Sequence, residues 1–256
     1  MPPSAARRFA VPALCAALAA GCASDDIMRS WRASDIAGLG EGTLHLRIGS
    51  ERVETLDTRS VRTLLDAKKR VEEAAAGPQA ELIVTEGAEP NAFVYYDDGR
   101  PTIAANLAML RLIGDDPDAC AALVGHELAH LALRHREKRS ARAREHENSA
   151  GLLGLALSAV GLPFGILLAE AATTVSERGY TRDDEREADE LGLFYMRQAG
   201  FDPAGAIRLQ QKLADAGGTT LLPFLSTHPS GAERIDAMRR LAEGEPAQAP
   251  GSARTR

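Results

Sequence analysis

His126-Glu127-Leu128-Ala129-His130 is where this chain's residue types and spacing promise chemistry. The stretch reads H-E-x-x-H inside an apolar run with helical character. On a helix, residues i and i+4 share a face, so His126 and His130 can point at one ion. Glu127 sits about 100° round from His126, near enough to reach a water on that ion without being a ligand. Two imidazoles that hold Zn²⁺ and a carboxylate that takes a proton from water form a hydrolytic zinc motif. The bland alternative is two satisfied histidines on a structural helix that happens to carry a Glu. The apolar helical context favours the metal.

Two histidines are not enough, because a catalytic zinc takes three protein ligands and keeps an open position. The metzincin pattern would put Gly at 133 and His at 136, where this chain has Leu133 and Arg136. His135 follows His130 by five positions, which swings it to another side of the helix, so it is not predicted to be a ligand. The third ligand must then come from downstream. Thr181 to Gly192 starts a second helix, and its Glu185 and Asp189 are again i and i+4. One carboxylate can bind zinc while the other fixes a ligand imidazole through its ring N–H. Alternatively, acidic residues collect there because a helix N-terminus favours them.

Other elements must hold these two helices. Asp116-Pro117 marks the start of the first, with Asp as N-cap and Pro at the first helical position. That helix is expected to run past His130 into a solvated charged run from Arg134 to Glu147. Upstream, Thr43 to Ile48 alternates as a half-exposed strand with a surface His45. Val61, Leu64, Leu65 and Val71 recur at helical spacing, and the helix stops at Gly77-Pro78. Glu81 to Thr85 is a strand by β-branched content. Phe93 to Tyr96, Asp97-Asp98-Gly99 and Thr102 to Ala105 make a hairpin, and Pro101 suggests that one arm is an edge. Downstream, Asp202-Pro203 starts a helix with Ala206, Leu209 and Leu213, which Gly217-Gly218 ends. Leu221 to Gly231 is a loop carrying His228, and Ala232 to Leu241 is a last helix.

The 256 residues are 45% hydrophobic and 26% charged, which suits one globular domain with tails. The net charge of −6 gives no nucleic-acid signature. Three cysteines are too few for a disulfide framework. Arg7, Arg8 and the short apolar run Phe9 to Ala20 read as an export signal over residues 1–21. Ala19-Ala20-Gly21-Cys22 looks like a bacterial lipobox, with Cys22 the lipidated residue; a plain secretory signal is the alternative. Residue 23 is Ala, which favours an outer-membrane address. Residues 22–42 read as a tether, 43–243 as the folded domain and 244–256 as a disordered tail. Between the two ligand-bearing helices, 148–172 is apolar and Gly-rich. Its part 148–169 is long enough to span a bilayer, but Pro163, the glycines and the need to return to the same zinc argue instead for covering the cleft or dipping into a leaflet.

The ordered set of Asn91-Ala92-Phe93, His126-Glu127-Leu128-Ala129-His130 with trailing His135, Arg182 ahead of Glu185-Arg186-Glu187-Ala188-Asp189, Ala199-Gly200-Phe201-Asp202-Pro203, and Ser226-Thr227-His228-Pro229 with Glu233-Arg234 resembles one zinc metallopeptidase family. It includes the CAAX prenyl proteases, the HtpX-type membrane proteases and periplasmic lipoproteins of the BepA and LoiP type. The resemblance implies an α+β, helix-rich zincin (gluzincin) with a small β-sheet beside the metal-binding helix. It implies one Zn²⁺ per chain held by His126, His130 and Glu185, with Glu127 as base and Asp189 behind the ligands. It places Asn91, Ala92 and Phe93 on a substrate-binding edge strand; an ordinary hairpin capping the sheet is the alternative. The implied protein is a periplasmic, lipid-anchored endopeptidase at the inner leaflet of the outer membrane. Its substrates would be unfolded or misassembled envelope polypeptides. The rival is a chaperone-like scaffold that keeps the zinc fold but cuts little.

His228 carries three open readings. Pro229 biases it toward extended backbone, which suits a side chain presented from a loop. It can donate to the oxyanion of the tetrahedral intermediate, occupy the open metal position as a latch, or cap a neighbouring helix. A protease of broad substrate range needs a way to stay off, which favours the latch.

Overall fold

The computed structural model describes residues 29–48, 52–145, 179–217, 222–229 and 232–244. The signal segment with Cys22, the apolar stretch 148–172 and residues 245–256 lie outside them. Among the described residues no helix is long and apolar enough to cross a membrane.

The fold is α+β and helix-rich. A four-stranded sheet has the order β1 (Ser30–Arg32), β4 (Glu81–Thr85), β6 (Arg100–Asn106), β5 (Ala92–Asp97). β4 and β6 are parallel; the other pairs are antiparallel. A separate hairpin pairs β2 (Thr43–Ile48) with β3 (Arg52–Asp57). Of β2, His45 is exposed, as its alternation requires. The β5–β6 turn has Asp98 at φ 46° and Gly99 at φ 79°, the left-handed pair that matches strand twist in a two-residue hairpin.

One expectation changes here. Residues 30–38, read as tether, form β1 and the short helix α1 (Ala33–Gly38). The polar, Gly-containing composition hid two buried residues at i and i+3, Ala33 and Ile36, and a strand whose partner lies some fifty residues away in β4. One arm of the hairpin, β5, is an edge of the sheet among the described residues, as expected, although Pro101 itself lies on the other arm, β6, which is interior. Proline is tolerated there because β4 pairing begins only at Thr102, so the missing N–H costs no ladder bond on that side.

The helices that matter are α2 (Thr58–Ala75), α3 (Leu107–Ile113), α4 (Pro117–Ala132), α5 (135–145), α6 (Arg182–Gln198), α7 (Ala204–Gly217), α8 (Pro223–Thr227) and α9 (Ala232–Ala242). The α4 helix is the hub: α2, α6, α7 and the sheet pack round it. It is buried from Ala119 to Leu131, so it reads as apolar on every side rather than amphipathic. His126, Glu127 and His130 are the charged or strongly polar side chains within that run, and buried polar groups need partners. The helix does not continue into the charged run as expected. Leu133 caps it, Arg134 turns left-handed at φ 54°, and α5 begins at residue 135. The predicted loop before α9 holds the short helix α8.

Asp116 fixes the start of α4. Its carboxylate accepts from Ala119 N at 3.1 Å and from Arg208 of α7, whose Nε and Nη2 each lie 2.9 Å away. The Arg208 hydrogen bonds, against partial burial, hold the Asp116 carboxyl down at about 2. Its folded-state pKa is depressed, so its contribution is present above the unfolded value of about 4 and lost as pH falls through about 2. Asp116→Ala should therefore cost about 1–2 kcal/mol near neutral pH, a cap plus a half-exposed ion pair. Urea denaturation should show the gap from the parent protein closing between about pH 4 and about pH 2.

Candidate metal centre

Backbone contact between α4 and α6 builds the site. A Cβ on Gly125 would lie 2.9 Å from the Gly192 carbonyl oxygen, and one on Gly192 would lie 3.0 Å from His126 N. Only glycines let the two helices come this close. From that crossing, α4 runs forward to His130 while α6, read backward, reaches Asp189 after one turn and Glu185 after two. Thr181 starts α6 with a capping box: its hydroxyl accepts from Asp184 N at 3.1 Å, and Asp184 accepts from Thr181 N at 3.0 Å. Those acidic residues do sit at a helix N-terminus, but Glu185 is turned inward and is 0% exposed.

Four donors converge: His126, His130, Glu185 and His228, with their ligating atoms all within 4.8 Å of one another. His126 Nε2 lies 3.0 Å from His130 Nε2, 3.3 Å from His228 Nδ1 and 3.5 Å from Glu185 Oε2. Glu185 Oε1 lies 3.3 Å from His130 Nε2 and 3.0 Å from His228 Nδ1. A tetrahedral zinc with bonds of about 2.0–2.1 Å sets its donors about 3.3–3.4 Å apart. One imidazole nitrogen cannot be partnered by three neighbours at once, so the convergence suits a cation at its centre.

Charge and hydrogen bonding say the same. Glu127 is fully buried, and neither of its carboxylate oxygens has a hydrogen-bond partner. Burial raises its pKa, and the His228 and His126 imidazoles only partly oppose that. Glu127, Glu185 and Asp189 face one buried guanidinium, Arg234. Carboxylates outnumber the guanidinium, and that excess suits a cation at the donors, since buried charges must be paired. Burial pushes the Glu185 carboxyl up, but His228, His126 and His130 outweigh it and hold it well below the usual range. At His126 burial pulls downward, yet Asp189 and Glu185 prevail and hold the imidazole at about 9. Zinc and that proton compete for the site.

Asp189 Oδ1 lies 3.1 Å from His126 Nδ1, in reach though off the ring's N–H line. Asp189 is held from behind by Arg234, which donates through Nε at 2.5 Å and Nη2 at 2.8 Å. Arg234 Nη1 meets Glu185 and donates to Pro229 O at 3.0 Å. The arginine thus ties the carboxylates of α6 to the His228 loop. The sequence assigns Arg234 no role, since a charged residue on a short polar helix gives no sign of being buried. Nor does it mark Tyr180, whose ring stacks on His130 at 3.8 Å between centroids. Asn91 precedes β5, Ala92 is buried on it and Phe93 is half-buried. Among the described residues their strand is an edge of the sheet, and it packs on α4. Cys120 is buried on α4, and burial pushes its thiol up to about 12, so it stays an inert packing group.

Residues 57–242 match peptidase family M48. The chain belongs to peptidase family M48. Zinc is the metal of M48 peptidases, and the donor set fits it. The chain is 31% identical over 164 residues to the mitochondrial metalloendopeptidase OMA1 of Saccharomyces cerevisiae and 34% identical over 163 residues to that of Schizosaccharomyces pombe. In both cases the match covers 60% of this chain and 44% of the relative. It is 29% identical over 171 residues to the β-barrel assembly-enhancing protease of Escherichia coli, covering 62% of this chain and 34% of that one. The chain thus spans less than half the length of these curated relatives.

Gly192→Ala should force the two helices apart and distort the donor set. Zinc affinity should fall about tenfold or more, and the metal-free fold should lose about 1–3 kcal/mol. Gly38→Ala, where an added Cβ meets nothing within 4 Å, is the control. Chelator competition and thermal melts read both effects.

Proposed function

We propose that the chain is a zinc endopeptidase that hydrolyses peptide bonds of unfolded or misassembled envelope proteins. The observation that carries this is Glu127: an orphaned, fully buried carboxylate beside a closed set of zinc donors. When bound, zinc lowers the pKa of its water toward about 7 and polarises the scissile carbonyl. Glu127 accepts the proton of the attacking water and passes it to the leaving amine. His126, His130 and Glu185 hold the ion, and Asp189 with Arg234 fixes His126 and Glu185. The β5 edge, entered through Asn91, Ala92 and Phe93, takes the substrate as an added strand. The envelope substrates rest on the export signal and on the name of the Escherichia coli relative. Lipidation at Cys22 rests on the lipobox; a Cys22→Ala form that still fractionates with membranes would place the anchor elsewhere.

In this reading His228 is a latch. Its Nδ1 takes the place among the donors that a substrate or water needs, and its Nε2 stands 3.6 Å from Glu127 Oε1. One ring therefore blocks both the ion and the base. Phe224 stacks on it at 4.4 Å between centroids and holds it in place. The latch also accounts for the rival reading, a scaffold that cuts little, as the same protein at rest.

Glu127→Gln should keep one zinc per chain and its fold but lose casein digestion; retained turnover would remove Glu127 as the base. His228→Ala should raise digestion and add self-cleavage. A fall in kcat of about 10²–10³ would instead mark an oxyanion donor, and an unchanged rate a structural residue.

A further inference from the structure

The break between α4 and α5 has an unexplained cost. Arg134 sits in the left-handed region at φ 54° without being glycine, a conformation that persists only when its surroundings impose it. The turn is closed by Leu133 N to Ala129 O at 2.9 Å and Arg134 N to Leu131 O at 3.1 Å. Its effect is on the next residue. On an unbroken helix His135 would lie about 140° round from His130 and could not meet it. Past the left-handed residue, the His135 ring folds back. Its Nδ1 lies 2.9 Å from His130 Nδ1, and the side chain is fully buried. Its other nitrogen, Nε2, lies 3.2 Å from Glu187 Oε2 on α6. His135 is not among the converging donors.

The tautomers follow. His130 turns Nε2 toward the other donors, so its proton belongs on Nδ1. His130 Nδ1–H then donates to His135 Nδ1, which leaves His135 Nε2–H to donate to Glu187. The opposite assignment would put a proton on His130 Nε2, aimed into the donor set. A ligand imidazole commonly donates its second N–H to a carboxylate or carbonyl, which fixes the ring and raises its basicity. Here a second imidazole stands between the ligand and the carboxylate.

We propose that His135 is a positioning residue for the zinc ligand His130: it accepts the His130 Nδ1–H, locks that ring's tautomer and angle, and couples it to Glu187. The left-handed turn at Arg134 is what brings it there. The proposal rests on His130 holding zinc.

Two substitutions in the full chain test it. His135→Phe keeps the buried ring and removes both nitrogens. His135→Asn carries Oδ1 near the position of the lost Nδ1 and can still accept. Three quantities are read: zinc affinity by chelator competition, the visible spectrum of the cobalt-loaded protein, and the melting temperature of the metal-free protein. His135→Phe should weaken zinc about 10–100-fold and shift the cobalt bands while leaving the metal-free melt nearly unchanged. His135→Asn should restore most of the affinity and the parent spectrum. His135→Phe with parent affinity and spectrum overturns the proposal. So does an equal loss in both variants that tracks a falling metal-free melt, since that is packing alone. A parent protein that takes up no zinc overturns the metal reading, and this proposal with it. A failure in the variants alone leaves zinc at His130 standing.

Discussion

At one point two helices meet backbone to backbone, where Gly125 of α4 faces the carbonyl of Gly192 on α6. Every useful distance in the molecule is set from there. One turn from the crossing brings Asp189 to His126; two turns bring Glu185 between His126 and His130. A metal site tolerates errors of about 0.2 Å in its bonds, so a helix spacing padded by side chains would not serve. Two bare backbones in contact give a spacing with little to repack. The other neighbours of α4 bury it on all sides, which fixes its rotation as the glycines fix its distance.

The second constraint is electrostatic. Four histidines, three carboxylates and one arginine lie in the same buried space. Each would be costly alone in a medium of low dielectric. Arg234 relieves Asp189 and Glu185, His135 occupies the far side of His130, and Phe224 and Tyr180 wall the imidazoles with flat apolar surface. Glu127 is the residue of the cluster with both carboxylate oxygens unpartnered, while His126 Nδ1, Glu185 Oε2 and His228 Nε2 also lack a hydrogen bond.

What could be read from the chain was local. The i, i+4 pairs His126/His130 and Glu185/Asp189, the Asp116-Pro117 helix start and the Gly99 hairpin are short-range patterns, and each stands where its spacing put it. The missed features depend on distant partners. Gly125 and Gly192 look like two weak helix residues until their helices cross. Arg234 looks like part of a solvated helix until Asp189 lies over it. Helical spacing puts His135 on another side from His130, because a left-handed arginine gives no warning in the sequence. β1 and α1 are too short and too polar to announce that Ala33 and Ile36 are core.

The excess of buried carboxylates over the single guanidinium in the site has a consequence for the whole fold. A chain that carries it without a counter-ion is less stable than one that holds zinc, so folding and metal supply are thermodynamically linked. By mass action the native state gains about 2.7 kcal/mol when free zinc stands at 100 times the dissociation constant. The population of folded enzyme then follows the zinc level of its compartment. Depletion would lower it through unfolding as well as through idle active sites.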